Sequence, residues 1–287
     1  MRDNAIAEVA RDGRTLNLLH GFSIEITARD HDKVGSLQGR IPPRTPISIT
    51  FLPGEDFESR VLAACRVREA GFTPVPHISA RRLGSAVELD AFLAALTGRA
   101  DVDRVFVVAG DIADPAGPFD DALSVIRSGA LARHGISQVG IAGYPEGHPG
   151  ISDAALDRAL FDKLEALEAA GQRSWIATQF SFDADPVLDW LTALRERTAV
   201  PVRVGVAGPA SIKALLRFAA RCGVGVSAKV MAKYGLSLTQ LLGSAGPGPL
   251  IEEMSERLMP GVHGDVRLHF YPFGGLEKTA DWIADFG

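Results

Sequence analysis

A (β/α)8 TIM barrel, α/β in class and a single domain with extra helices before its last strand, is predicted by three features of the sequence. Eight short β-like runs alternate with helical runs along almost the whole chain. Within the runs one side-chain parity is apolar and the other often polar. The 287 residues would divide into two domains of about 150, yet one barrel commonly takes about 250.

The first strand is FSIEIT (22–27), in which Phe22, Ile24 and Ile26 alternate with Ser23, Glu25 and Thr27. The link that follows, 28–46, is short and turn-rich, which predicts a reduced first helix. ISITF (47–51) alternates in the same way. TPVPHIS (73–79) and RVFVVAG (104–110) come next, separated by the helical stripe Leu89, Phe92, Leu93 and Leu96. QVGIAGY (138–144), SWIATQF (174–180) and VPVRVGVAG (200–208) continue the series. Val187, Trp190, Leu191 and Leu194 form a stripe after the sixth strand, and Ile212, Leu215, Leu216 and Ala219 one after the seventh. Glycines close three helices, in EAG (69–71), EAAG (168–171) and RCG (221–223). The segment 224–265 carries a Gly/Pro cluster (243–249) and an amphipathic helix around 249–259. VRLHFYPF (266–273) is the eighth strand. Strands of a doubly wound sheet are apolar on both parities, because helices cover both faces. Here helices cover the apolar parity, and the polar parity faces a barrel interior that opens into a site. Residues 1–19 read as an N-terminal extension and 20–287 as the barrel.

Composition narrows the function classes. Apolar residues at 46% and charged residues at 23% exclude a disordered chain, a collagen and a coiled coil. The formal charge of −5, without a Lys/Arg run, argues against nucleic acid as a partner. Two cysteines, Cys65 and Cys222, make neither a disulfide framework nor a metal cluster. No stretch approaches the ~20 apolar residues of a membrane span, and no secretion signal is recognisable, so a cytoplasmic location is expected. No HExxH, GxGxxG or GxxxxGK[ST] pattern occurs, and no metal is expected.

Barrel chemistry sits at the C-terminal strand ends and the loops beyond them. The polar parity there offers Glu25, Thr27, Thr50, His77, Ser79, Asp111, Tyr144, Gln179, His269 and Tyr271, a set suited to a small-molecule pocket. Glu25 is either a catalytic group or a buried, paired carboxylate between two isoleucines. Asp111 is a site residue or a cap, and His77 a base or a core histidine. Gln179 has few structural reasons to sit in an apolar strand, which favours ligand contact. His148 lies on a loop, where function concentrates. His20, His31, His134 and His263 read as surface residues. GGL (274–276) holds a phosphate at a helix N-terminus or simply makes the turn.

GIAGYPEGHP (140–149), TQFSFDAD (178–185), AGD (109–111), PHIS (76–79), ISITF (47–51) and FSIEI (22–26) together resemble the methylenetetrahydrofolate reductase family, whose catalytic domain is a (β/α)8 barrel. The resemblance implies interconversion of 5,10-methylenetetrahydrofolate and 5-methyltetrahydrofolate with NADH or NADPH. It makes Glu25 the general acid that opens the folate's imidazolidine ring. That role asks a carboxyl group to hold a proton near neutral pH, which burial favours. It assigns the folate to Asp111, Gln179 and Tyr271. It assigns a flavin pocket to Thr50, His77, Ala109, Gly110, Tyr144, His148 and Asp157.

The resemblance implies FAD, but three departures predict weak or absent FAD and direct transfer from nicotinamide to folate. Ala109 stands where the family commonly has arginine, Leu167 where a lysine is usual, and Phe119 where a tyrosine is found. Arginine and lysine are natural partners of a pyrophosphate. HFYPFGG (269–275) also lacks the family's arginine, leaving Lys229, Lys233 or solvent for the folate's glutamate tail. Two rival readings are a pterin-dependent methyltransferase and a non-catalytic folate-binding barrel; neither consumes NAD(P)H. The sequence leaves oligomeric state open, a homo-oligomer included.

Overall fold

The computed structural model describes residues 18–222, 224 and 244–286. Eight strands close into a barrel in the order β1-β2-β3-β4-β5-β6-β7-β8 and back to β1. They are β1 (Ser23–Thr27), β2 (Pro46–Thr50), β3 (Thr73–Ser79), β4 (Arg104–Val108), β5 (Gln138–Gly143), β6 (Arg173–Ser181), β7 (Val202–Ala207) and β8 (Val266–Tyr271). Parallel pairing sets Thr27 beside Thr50, His77 beside Phe106, and Tyr271 beside Ala207. The fold is thus the expected α/β (β/α)8 barrel.

The helices follow the predicted stripes. They are α1 (Phe57–Glu69), α2 (Ala86–Ala100), α3 (Ala122–Arg127), α4 (Ala130–Arg133), α5 (Asp153–Ala169), α6 (Ala184–Arg195), α7 (Ile212–Cys222), α8 (Gly248–Arg257), α9 (Pro260–His263) and α10 (Leu276–Phe286). Asp56 and Ser85 cap α1 and α2 by accepting from the backbone N–H of Ser59 and Glu88. Leu89, Phe92, Leu93 and Leu96 are buried along one face of α2. Gly71 and Gly171 take the left-handed conformation just past α1 and α5, the geometry that favours glycine there. The reduced first helix is a 3-10 helix, Ala28–Leu37; in its capping box the backbone N–H of Thr27 donates to Asp30 Oδ2 at 3.1 Å, and the Thr27 hydroxyl donates to the same oxygen at 2.8 Å, which gives Thr27 a structural role.

The chain packs as two units: Ile24–Gly143 with Gly150–Ala177 (the first unit), and Met1–Ser23 with Tyr144–Pro149 and Thr178–Gly287 (the second). Of the expected extension, residues 1–17 lie outside those described. In the first unit Ile24, Ile47, Ile49 and Ile78 are buried on the apolar parity. The opposite parity is less polar than the alternation suggested. Val75, Phe106 and Ala177 form a small core with Val108, Ala142 and Trp175 packed on it, as barrel interiors filled in layers require. The polar groups gather toward the strand ends. Among the described residues no helix is long and apolar enough to cross a membrane.

Candidate functional site

In the first unit, Glu25 on β1 and His77 on β3 approach each other. Glu25 Oε2 lies 3.7 Å from His77 Nε2, with side-chain exposures of 18% and 9%. The contact is an ion pair only when the imidazole carries a proton, so the pair is suited to holding and moving one. The His77 ring also lies 4.8 Å from that of Phe106, and its carbonyl accepts from Arg60. Arg60 is buried with its guanidinium 4.8 Å from the Phe51 ring and 4.4 Å from the Phe92 ring. Burial pushes its pKa down to about 10. His77 is therefore both a buried histidine and a partner of the candidate acid. Thr50 is half-buried at the end of β2.

Beyond β4 the chain turns at Gly110, whose φ of +99° favours glycine. The backbone N–H of Arg81 donates to Ala109 O at 2.8 Å, and its side chain donates to the carbonyls of Asp120 and Ile112. Arg81 thereby fastens the loop that carries Asp111. Asp111 is exposed and paired with Arg82, whose Nη2 and Nε both reach Oδ1, at 2.5 and 2.9 Å. Asp157 lies exposed on α5.

In the second unit the groups are rings and amides. The Tyr144 and His148 rings meet edge to face, 5.5 Å apart, and burial pushes the Tyr144 phenol up. Gln179 lies near the end of β6 and accepts from the backbone N–H of Phe180 at 3.2 Å. A cleft is lined by Tyr144, Glu146, Gln179, Ser181 and neighbours, with the Ser181 hydroxyl donating to Glu146 at 2.6 Å. Tyr271 donates to Thr178 O at 3.0 Å. Its ring lies edge-on to His269 and near-parallel to Phe273, which stacks on Phe218 at 4.1 Å. His269 is buried, with Nδ1 2.8 Å from Ser23 Oγ.

Several sequence expectations are corrected. Leu167 is wholly buried and Phe119 nearly so. Lys163, one turn before Leu167 on α5, was missed. It is half-buried, and desolvation lowers its pKa against the pull of Asp121. A cation on the helix after the fifth strand was the signal, displaced by one turn. His263 is buried rather than on the surface, accepting from the Met259 N–H at 2.9 Å; His31 and His134 are half-buried. The GGL glycines make the turn into α10: a Cβ on Gly274 would stand 2.0 Å from Pro209 O, and Gly275 has φ +114°. Lys229 and Lys233 lie outside the described residues. The carboxylates of Asp183, Asp185 and Glu253 converge, but Arg257 spans two of them at 2.6 and 2.7 Å.

Fold and site together define a (β/α)8 barrel with polar groups at or just beyond its strand ends. The sequence model for methylenetetrahydrofolate reductase matches residues 47–276, and the chain belongs to that family. Glu25 lies before the matched stretch, so its assignment rests on the first-strand resemblance and the geometry above. Among solved structures, an uncharacterized protein from Clostridium thermocellum that binds two copies of 5-methyl-5,6,7,8-tetrahydrofolic acid is similar with a TM-score of 0.61. It is 10% identical, and the match covers 96% of this chain and 98% of that one. A thermostable aldo-keto reductase in complex with the inhibitor epalrestat matches with a TM-score of 0.50 at 12% identity, covering 94% and 90% of the two chains.

Proposed function

We propose that the protein interconverts 5,10-methylenetetrahydrofolate and 5-methyltetrahydrofolate with NADH or NADPH. The family match supports the reaction class, and the solved neighbour's ligand agrees with a folate. The observation that carries the reading is the half-buried Glu25 facing His77 across 3.7 Å. Glu25 donates a proton to N10 of the folate, and the bond from N10 to the bridging methylene breaks. The resulting N5 iminium accepts hydride at its methylene carbon, giving the 5-methyl product. Asp111 accepts hydrogen bonds from the pterin and offsets the developing positive charge. Gln179 and Tyr271 orient the folate.

FAD, the family's usual cofactor, supplies a hydride relay from NAD(P)H when bound. The resemblance assigns its pocket to Thr50, His77, Gly110, Tyr144, His148 and Asp157. Lys163 fits a pyrophosphate as a desolvated cation, while Ala109 brings no charge. One cation in place of two predicts a weak FAD site.

Anaerobic turnover with each nicotinamide, with and without added FAD, tests the reading. NAD(P)H oxidation that depends on 5,10-methylenetetrahydrofolate is expected. Folate binding without oxidation would overturn the reductase in favour of a binding protein, and methyl transfer without a reductant would favour the methyltransferase.

A further inference from the structure

The first unit contains an arginine that the resemblance does not assign. Arg82 leaves the short turn after β3 and reaches Asp111, two residues past the last one of the predicted fourth strand's Val-Ala pair. Both of its donors converge on one oxygen, Oδ1, which fixes the carboxylate against a single guanidinium plane. The guanidinium also lies 4.8 Å from the Phe51 ring. Phe51 in turn carries the buried Arg60 at 4.8 Å, and Arg60 is fastened to the His77 carbonyl. The ion pair is asymmetric: the Arg82 side chain is 20% exposed and that of Asp111 61%. Exposed pairs of long side chains contribute little to stability. A shielded cation on an aromatic shelf, presenting a carboxylate to solvent, instead preorganises an acceptor.

We propose that Arg82 is a positioning residue for ligand binding, holding Asp111 in the orientation that receives the pterin's N–H groups. The inference rests on the folate reading of Asp111. Arg82 takes up, from the β3 turn, a place beside the strand-four aspartate where Ala109 offers no side-chain charge. It acts through Asp111, so its effect vanishes when that carboxylate is removed.

The test is a double-mutant cycle on the full chain, read as the Kd for 5-methyltetrahydrofolate by calorimetry. Asp111→Asn is expected to weaken binding by at least about tenfold, and Arg82→Ala by about tenfold. The double variant should bind no more weakly than Asp111→Asn alone, the non-additivity of residues that share one interaction. Arg82→Lys should recover part of the loss, because an ammonium lacks the guanidinium fork. Phe51→Leu, which removes the shelf and keeps apolar volume, should follow Arg82→Ala in direction and serves if that variant fails to fold. Losses that multiply in the double variant, or unchanged binding in Arg82→Ala, overturn the inference and leave the folate reading standing. Absence of folate binding by the unmodified protein overturns both.

Discussion

The strand ends of the first unit carry charge, and those of the second carry rings and amides. Glu25, His77, Arg82 and Asp111 can each hold or offset a charge, and Glu25 faces His77 while Arg82 joins Asp111 to the Phe51 ring. Tyr144, Gln179, Tyr271 and Phe273 offer faces, an amide and hydroxyls. The difference teaches a division of labour: a pteridine needs flat contacts and hydrogen bonds to be recognised, whereas opening its ring needs a proton and a counter-charge. On this reading Glu25 acts on turnover, whereas the Arg82–Asp111 pair and the groups of the second unit act on affinity.

Glu25→Gln is the largest way to break that division. General acid catalysis contributes about 10² to 10⁴ in rate, so anaerobic turnover should fall by that factor. Folate affinity should stay within about threefold, because the amide keeps the shape. A variant that retains more than a tenth of the unmodified rate would remove Glu25 from the chemistry.

Two glycines sharpen the comparison on stability. In the second unit, a Cβ on Gly205 would lie 2.6 Å from Thr178 O and 2.8 Å from the Gln179 carbonyl carbon, backbone atoms of β6 that cannot rotate away. In the first, a Cβ on Gly140 would meet Phe106 and Trp175 side chains at 2.4 Å. Overpacking against side chains costs about 1–3 kcal/mol, because they can shift. Gly205→Ala should cost more than that and also displace Gln179. Urea denaturation of both variants checks the order, and a milder Gly205→Ala would contradict it.

The same contrast explains what the sequence disclosed. All eight strands, the reduced first helix and the helix near 249–259 were legible, because alternation and helical stripes report directly on which side is buried. Glu25 and Gln179 stood out as polar residues inside apolar strands. Arg82 did not, since an arginine after a strand looks like any solvated loop cation until Phe51 and Asp111 meet it from other strands. His263 read as a surface group because its acceptor role depends on the Met259 backbone, which no residue pattern announces.

Gln179→Ala tests the second unit directly. Losing the amide removes one or two neutral hydrogen bonds, about 1–1.5 kcal/mol or roughly tenfold in affinity. KM for the folate should rise by that factor, with kcat changed less than in Glu25→Gln. A collapse of kcat at unchanged KM would mean that the second unit shares in the chemistry.

The smallest effect is one of pH on stability, and it concerns a second-unit group away from the folate residues. Burial lowers the pKa of His263 from 6.5, and the cations of Arg195 and Arg257 act in the same sense. Its Nδ1 accepts the Met259 N–H, which the neutral ring alone can do. Below pH 6.5 the unfolded chain binds a proton that the folded chain refuses, so protons favour unfolding. The contribution is intact above 6.5 and is lost as pH falls from there through the folded-state pKa. The hydrogen-bonded carboxylates Asp56, Asp90 and Asp103, lowered from 3.8, titrate below this window. Tm should therefore decline between pH 7 and 5.5, and His263→Asn, which keeps an acceptor without a proton to gain, should flatten part of that decline. An equal slope in the variant would mean that His263 takes up its proton without opening the α8–α9 corner.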